Sequence, residues 1–341
     1  MYKPATLYSN YSVNDNNSIF KIDSDELNID SKEPLVKLRE SFKRLGYDLS
    51  TKDINSVKSS LFTIFYDMPL GINKIHIPDN SYLILWECEV ISPENWIIKN
   101  HLKFKKIFTW DSSLVDNIKY FKIRFPNKLN FSVKPYEKKK LITMLSGNKY
   151  SKNPLELYSL RKKCIKWFEK NNIDDFEFYG VGWDNLITSN RYLNFLLKKL
   201  NMSKIFSPKY KNYKGSVINK KDALENYRFC FCFENSLSNE EYITEKIFDC
   251  FSAGVIPIYL GSKIINETIP LNTMILFSDF KDIKDLYEYL KSMKKDNYNE
   301  IINNIKSFLK SKKGSIYSIN YFTELLTKQI VSDLKSNSKT L

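Results

Sequence analysis

Apolar positions fall into two regimes along this chain. Over residues 34–45, Leu35, Leu38, Phe42 and Leu45 recur at helical spacing and predict a helix. Ser31 or Asp30 is placed to cap it, Pro34 suits its first turn, and Gly46 follows its last apolar residue. Short apolar runs at 61–66, 82–86 and 106–110, separated by Pro and Asn clusters, predict strands. A polar stretch over 126–140 breaks the pattern and predicts a linker ahead of a strand at 141–145. Beyond it the order is regular: helix 154–170 capped by Asn153, strand 176–179, helix 192–200, strand 227–233, helix 244–253, strand 255–259. Such alternation predicts an α/β fold with a parallel sheet covered on both faces. The expected domains are 1–135 and 136–320, with a basic helix or tail over 321–341.

Composition supports two cores, since 43% of the 341 residues are apolar and 23 Phe and 22 Tyr supply packing material. A basic leader with an apolar stretch is not seen, nor a run of eighteen apolar residues. The expectation is a cytoplasmic chain that is neither secreted nor membrane-spanning. Cys88, Cys164, Cys230, Cys232 and Cys250 are odd in number and lack zinc spacing, which predicts reduced thiols. His76 and His101 have no neighbouring ligand pattern and are expected in loops or at the surface. Asp23-Ser24-Asp25 has the spacing of a cation-holding pair but sits in a polar N-terminal stretch, and no metal is expected. The net charge of +14 admits nucleic acid, an anionic membrane or a phosphorylated small substrate as partner. Lysine is spread over nearly the whole chain, so charge does not choose, and no nucleic-acid motif is present. Lys306, Lys310, Lys312 and Lys313 with interleaved apolar residues predict peripheral contact with an anionic membrane.

The chemistry concentrates at 227–261. This stretch reads as a buried strand, a polar loop over 234–242, a helix opening with Thr244-Glu245-Lys246, and a strand ending at Gly261. Alternation puts Phe229, Phe231 and Phe233 on one strand face, and Cys230 and Cys232 on the other as core filling. The polar loop falls at the carboxyl end of a strand, where a following helix offers amides and dipole to a phosphate.

Tyr227-x-Phe229, Phe233-Glu234-Asn235-Ser236, Tyr242-x-Thr244-Glu245-Lys246, Ala253-Gly254-x-Ile256-Pro257-Ile258 and Gly261 together resemble the alpha-1,3/1,4-fucosyltransferases, glycosyltransferase family 10. Gly215-x-Val217 with Lys220, Leu224 and Tyr227, Glu156-Leu157-Tyr158 with Arg161, and Tyr179-Gly180-x-Gly182-Trp183 extend the likeness, which spans about 140–300. The resemblance implies a GT-B architecture, two Rossmann-like domains facing across a cleft. It implies inverting transfer of L-fucose from GDP-fucose to a glycan hydroxyl. The acceptor it implies is N-acetylglucosamine within an N-acetyllactosamine-like unit, and the leading expectation is a bacterial surface glycan or lipopolysaccharide.

By the same resemblance, Asn235, Tyr242, Glu245 and Lys246 contact the donor, with Glu245 accepting from sugar hydroxyls. Lys246 and Lys220 neutralise the diphosphate, while Lys209, Lys211 and Lys214 stand where the family often has an arginine. The general base of related bacterial enzymes matches Glu87 in Trp86-Glu87-Cys88-Glu89, ahead of Glu89. Another nucleotide sugar, or a basic nucleic-acid-binding protein, are the alternatives.

Overall fold

The computed structural model describes residues 2–22, 29–188, 190–200, 202–205 and 207–337, so the Asp23-Ser24-Asp25 spacing lies outside the described residues. The chain divides into two compact units, Met1–Lys128 with Glu240–Tyr242 and Ser315–Leu341, and Leu129–Asn239 with Ile243–Gly314. This differs from the expected 1–135 and 136–320. The first unit ends earlier, and it takes in both a short inner segment and the C-terminal stretch expected to be a separate tail.

The first unit is built on a six-stranded parallel sheet. In chain order it comprises β1 (Lys3–Ser9), α1 (Ile29–Arg44), β2 (Tyr47–Thr51), β3 (Phe62–Tyr66), β4 (Ser81–Leu85), α2 (Ile98–His101), β5 (Lys106–Thr109) and β6 (Tyr120–Lys122). The strand order is β2-β1-β3-β4-β5-β6. Alternation along β3 sends Ile64 to one core and Phe65 to the other, so both faces are covered. Helix α1 begins at Ile29, which puts Asp30 and Ser31 inside it instead of at its cap. Pro34 therefore lies in the second turn, where it forgoes one helical hydrogen bond. Leu45 falls past the helix end and is exposed.

The second unit carries a five-stranded parallel sheet in the order β11-β10-β9-β7-β8. Its elements are β7 (Lys140–Leu145), α3 (Tyr158–Asn171), β8 (Phe176–Tyr179), α4 (Arg191–Lys199), α5 (Lys220–Leu224), β9 (Tyr227–Ser238), α6 (Glu245–Ser252), β10 (Ile256–Ser262), β11 (Ile275–Leu276), α7 (Ile283–Ser292), α8 (Lys295–Lys310) and α9 (Lys312–Ser315). Asn153 does not cap α3: its side chain accepts from the Leu155 amide, and the helix starts only at Tyr158. On β9, Phe231 packs on Phe168 of α3, while Cys230 and Cys232 meet Cys250 of α6, as the alternation predicts. All five cysteines are free and buried.

The last helix, α10 (Ile319–Asn337), belongs to the first unit and is no loose tail. Phe322, Leu326, Ile330 and Leu334 enter the same core as Leu35, Leu38 and Phe42 of α1. Burial of each such side chain stabilises by about 1.5–3 kcal/mol. Lys106 pairs with Asp333 at 2.8 Å and ties the helix to the sheet. Among the described residues no helix is long and apolar enough to cross a membrane.

Candidate active site

In the second unit the polar residues of the 227–261 stretch gather where β9 and β10 end. The two strands stay in register to Phe233↔Leu260 and meet again at Ser238↔Ser262. Residues 234–237 thus bulge from the ladder opposite Gly261, so the segment expected as a loop remains part of a longer strand. Glu234, at the start of the bulge, is fully buried. One of its oxygens accepts from the Thr244 amide at 2.8 Å; the other accepts from Thr244 Oγ1 at 2.7 Å and Lys246 Nζ at 3.2 Å. A Cβ on Gly261 would lie 2.5 Å from Glu234 Cγ, so only glycine leaves room for this carboxylate. Arg161, buried on α3, clamps the same turn by donating to the carbonyls of Phe233 (2.6 Å) and Glu234 (2.8 Å) and to Asn235 Oδ1 (3.3 Å).

This scaffold fixes the amino end of α6. Glu245 Oε1 sits 3.8 Å from Lys246 Nζ and 4.0 Å from Lys220 Nζ, and Lys220 also pairs with Asp249 at 2.8 Å. Burial opposes ionisation of Glu245, but Lys246 and Lys220 hold its carboxyl down at about 2. Both ammonium groups are in turn pushed above the usual lysine range against the cost of burial, Lys220 by Asp249 and Glu245, Lys246 by Glu234 and Glu245. The result is a permanently ionised cluster beside a helix N-terminus, with the Glu245 side chain 38% exposed. Around the strand ends, Ser146 Oγ, Asn148 Oδ1 and Ser262 Oγ are buried and lack a hydrogen-bond partner among the described residues. Together these groups offer cations, a carboxylate acceptor, helix amides and spare polar atoms at the carboxyl edge of a parallel sheet, the place where such folds bind phosphorylated ligands.

In the first unit a second constellation surrounds Glu87. Asp67, just past β3, holds a left-handed φ of 64° and is buried. Its Oδ1 accepts from the amides of Trp86 (2.8 Å) and Glu87 (3.0 Å) and from Asn95 Nδ2 (2.6 Å). Burial raises the Asp67 carboxyl above its ordinary value although those three donors favour its charge. The hydrogen bonds from the Trp86 and Glu87 amides to this carboxylate hold the turn that presents Glu87. Tyr242, in the inner segment belonging to this unit, donates its hydroxyl to Glu87 Oε2 at 3.4 Å and packs on Trp110 and Phe125. Its neighbour Glu241 is held by Arg124 (2.6 Å), Lys122 (2.8 Å) and Tyr317 (3.0 Å).

The structure therefore gathers Lys220, Glu245 and Lys246 into one cluster, sets Asn235 under the Arg161 clamp, and groups Tyr242 with Glu87. Glu89 is exposed. Lys209 and Lys211 are exposed and Lys214 pairs with Glu177 at 3.1 Å. His101, expected in a loop or at the surface, is buried, with Nε2 2.7 Å from the Asn95 carbonyl oxygen and Nδ1 3.2 Å from the Tyr120 hydroxyl. Burial lowers its pKa, which suits a neutral ring in the hydrogen-bond chain behind Asp67. Sequence reasoning assigned no role to Glu234, Arg161, Asp249 or Asp67. Arg161 and Glu234 stood within the resembling motifs, and a charge inside an apolar run was the available signal.

Comparison with known proteins finds a family match that lies largely within the second unit. Residues 181–308 match the model of the glycosyltransferase family 10 (fucosyltransferase) C-terminal region. An alpha-(1,3)-fucosyltransferase of Helicobacter pylori is 36% identical over 76 residues, covering 22% of this chain and 16% of that protein. The 4-galactosyl-N-acetylglucosaminide 3-alpha-L-fucosyltransferase 9 of Mus musculus is 35% identical over 88 residues, 24% of each chain. The chain thus matches less than a quarter of the length of these curated relatives. A crystal structure of an alpha1,3-fucosyltransferase with GDP-fucose superposes with a TM-score of 0.55 at 15% identity, covering 96% of this chain and 90% of that one. That likeness concerns the fold: two parallel-sheet α/β units of the GT-B architecture.

Proposed function

We propose, for a chain whose residues 181–308 match the glycosyltransferase family 10 (fucosyltransferase) C-terminal model, that it transfers L-fucose from GDP-fucose to a glycan hydroxyl with inversion. The observation that carries this reading is the Lys220–Glu245–Lys246 cluster at the amino end of α6. Departing GDP gathers negative charge on its diphosphate. Two fixed ammonium groups and the α6 amides meet that charge without reorganising, and such preorganised stabilisation lowers a barrier most where charge develops. In this reading these cations take the place of a metal at the diphosphate. Glu245, ionised throughout the physiological range, accepts hydrogen bonds from fucose hydroxyls and orients the sugar. The Asn235 amide completes the donor contacts.

Inversion in one displacement needs a base for the acceptor hydroxyl. Glu87 takes that role, its backbone fixed by Asp67 and its carboxylate touched by the Tyr242 hydroxyl. We assign the acceptor as N-acetylglucosamine, transfer going to its 3-hydroxyl, in a lipid-linked surface glycan such as a lipopolysaccharide. The name of the Mus musculus relative supports the N-acetylglucosamine and its 3-hydroxyl, and nothing in it bears on the carrier. We further propose that catalysis takes place at the cytoplasmic face of a membrane.

Calorimetric titration with GDP-fucose and GDP-mannose tests the donor. Tighter binding of GDP-fucose is expected, with affinity falling at least tenfold in Lys246→Ala. Tighter binding of GDP-mannose would assign the cluster to a different nucleotide sugar.

A further inference from the structure

Helix α4 exposes what a helix on a folded domain normally hides. Leu197 turns inward and is 9% exposed. Tyr192 and Phe195, three residues apart and so on one face, are 71% and 61% exposed; Leu200 and Ile205, just beyond the helix, are 59% and 72% exposed. Scattered surface leucines need no explanation, but four large apolar side chains within one short stretch do. The surrounding sequence is as one-sided in charge. Between Asn185 and Gly215 stand Arg191, Lys198, Lys199, Lys204, Lys209, Lys211 and Lys214, and not one Asp or Glu. Lys204 reaches Asp184 at 3.6 Å and Lys214 reaches Glu177 at 3.1 Å, while Lys199, Lys209 and Lys211 are exposed.

We infer that this face docks on an anionic lipid bilayer, with Tyr192, Phe195, Leu200 and Ile205 entering the boundary between headgroups and acyl chains and the lysines meeting lipid phosphates. Apolar insertion combined with cationic attraction is the signature of a helix lying in a membrane interface. α4 is too short to span one. A single-stranded nucleic acid would use aromatic rings for stacking but has no use for exposed Leu200 and Ile205. The C-terminal basic residues, expected to make this contact, are less suited to it. Ile305, Phe308 and Leu309, interleaved with Lys306 and Lys310, are buried and unavailable to lipid. The inference does not rest on the donor cluster and stands or falls apart from it.

Co-sedimentation with vesicles tests it. The intact chain is expected to pellet with phosphatidylglycerol–phosphatidylcholine vesicles and not with phosphatidylcholine alone. Replacing Tyr192→Ser with Phe195→Ser, or Leu200→Ser with Ile205→Ser, should each lower partitioning at least tenfold, and Lys199→Glu severalfold. These side chains are exposed, so thermal unfolding should stay unchanged, and two independent apolar pairs guard against one misfolded variant. Lys306→Glu with Lys310→Glu should leave partitioning as it was. No pelleting with anionic vesicles, or pelleting indifferent to both apolar pairs, overturns the inference. So does loss confined to the charge reversal together with equal affinity for single-stranded DNA, which would make the face a nucleic-acid surface.

Discussion

Glu234 shows how much of the site depends on one carboxylate that cannot touch solvent. It satisfies the Thr244 amide, the Thr244 hydroxyl and the Lys246 ammonium, and Gly261 exists opposite it because any side chain there would collide. Glu234→Gln keeps the shape and removes the countercharge of Lys246, and should cost about 3 kcal/mol. Gly261→Ala should cost about 1–3 kcal/mol by overpacking the same spot. Urea unfolding measures both, and donor affinity should fall alongside stability because Lys246 loses its anchor. Thr244, Glu245 and Lys246 were legible in the sequence as a polar cluster opening a helix. Glu234 was read as the start of a loop and as a motif position without a role, since its role needs the bulge that sets residues 234–237 outside the β10 ladder. Asp67 was illegible for a similar reason: nothing in a run of letters reveals a left-handed backbone or a carboxylate turned onto amides nineteen residues or so downstream.

Strands with a dense apolar run were read within a residue or two, as β3, β4, β5, β7 and β8 show. β1 and β2 escaped because Lys-Pro-Ala-Thr-Leu-Tyr-Ser and Tyr-Asp-Leu-Ser-Thr carry too few apolar positions to stand out. Their pairing comes from the neighbours they complete. Helix α10 was anticipated as a helix but not as core, because amphipathicity does not name the surface a helix covers. Leu326, fully buried against the first-unit core, separates the two views. Leu326→Ala should destabilise by about 2–5 kcal/mol in chemical denaturation, as expected of a core leucine. A disposable tail would register almost nothing.

Taken as a whole, the chain carries +14 formal charges, and its electrostatics resolve into local solutions. Most cations that penetrate the fold have a carboxylate, as at Lys220, Lys246 and Arg124. Lys139 instead donates to the Gly254 carbonyl (2.6 Å) and the Tyr298 hydroxyl (3.1 Å). Burial lowers its pKa to about 8 from 10.5, with Glu225 opposing and Lys134 assisting. The unfolded chain then binds this proton more tightly than the folded one. Stability of the second unit should therefore rise between pH 8 and 10.5, by on the order of 3 kcal/mol from this group. Unfolding free energies across that window, wild type against Lys139→Met, isolate the contribution; a difference that stays flat or falls with pH would refute it.

Acceptor-dependent release of GDP, measured after mixing the protein with GDP-fucose and a panel of N-acetylglucosamine-containing glycans, decides whether the chain is a fucosyltransferase. The wild type should release GDP with a suitable acceptor and little without one. Glu245→Ala should lose donor affinity and turnover together, whereas Glu87→Gln should bind GDP-fucose as before and turn over about 10²–10⁴-fold more slowly. No release with any acceptor, together with no binding of GDP-fucose or GDP, would mean that the cluster at α6 serves no fucose transfer.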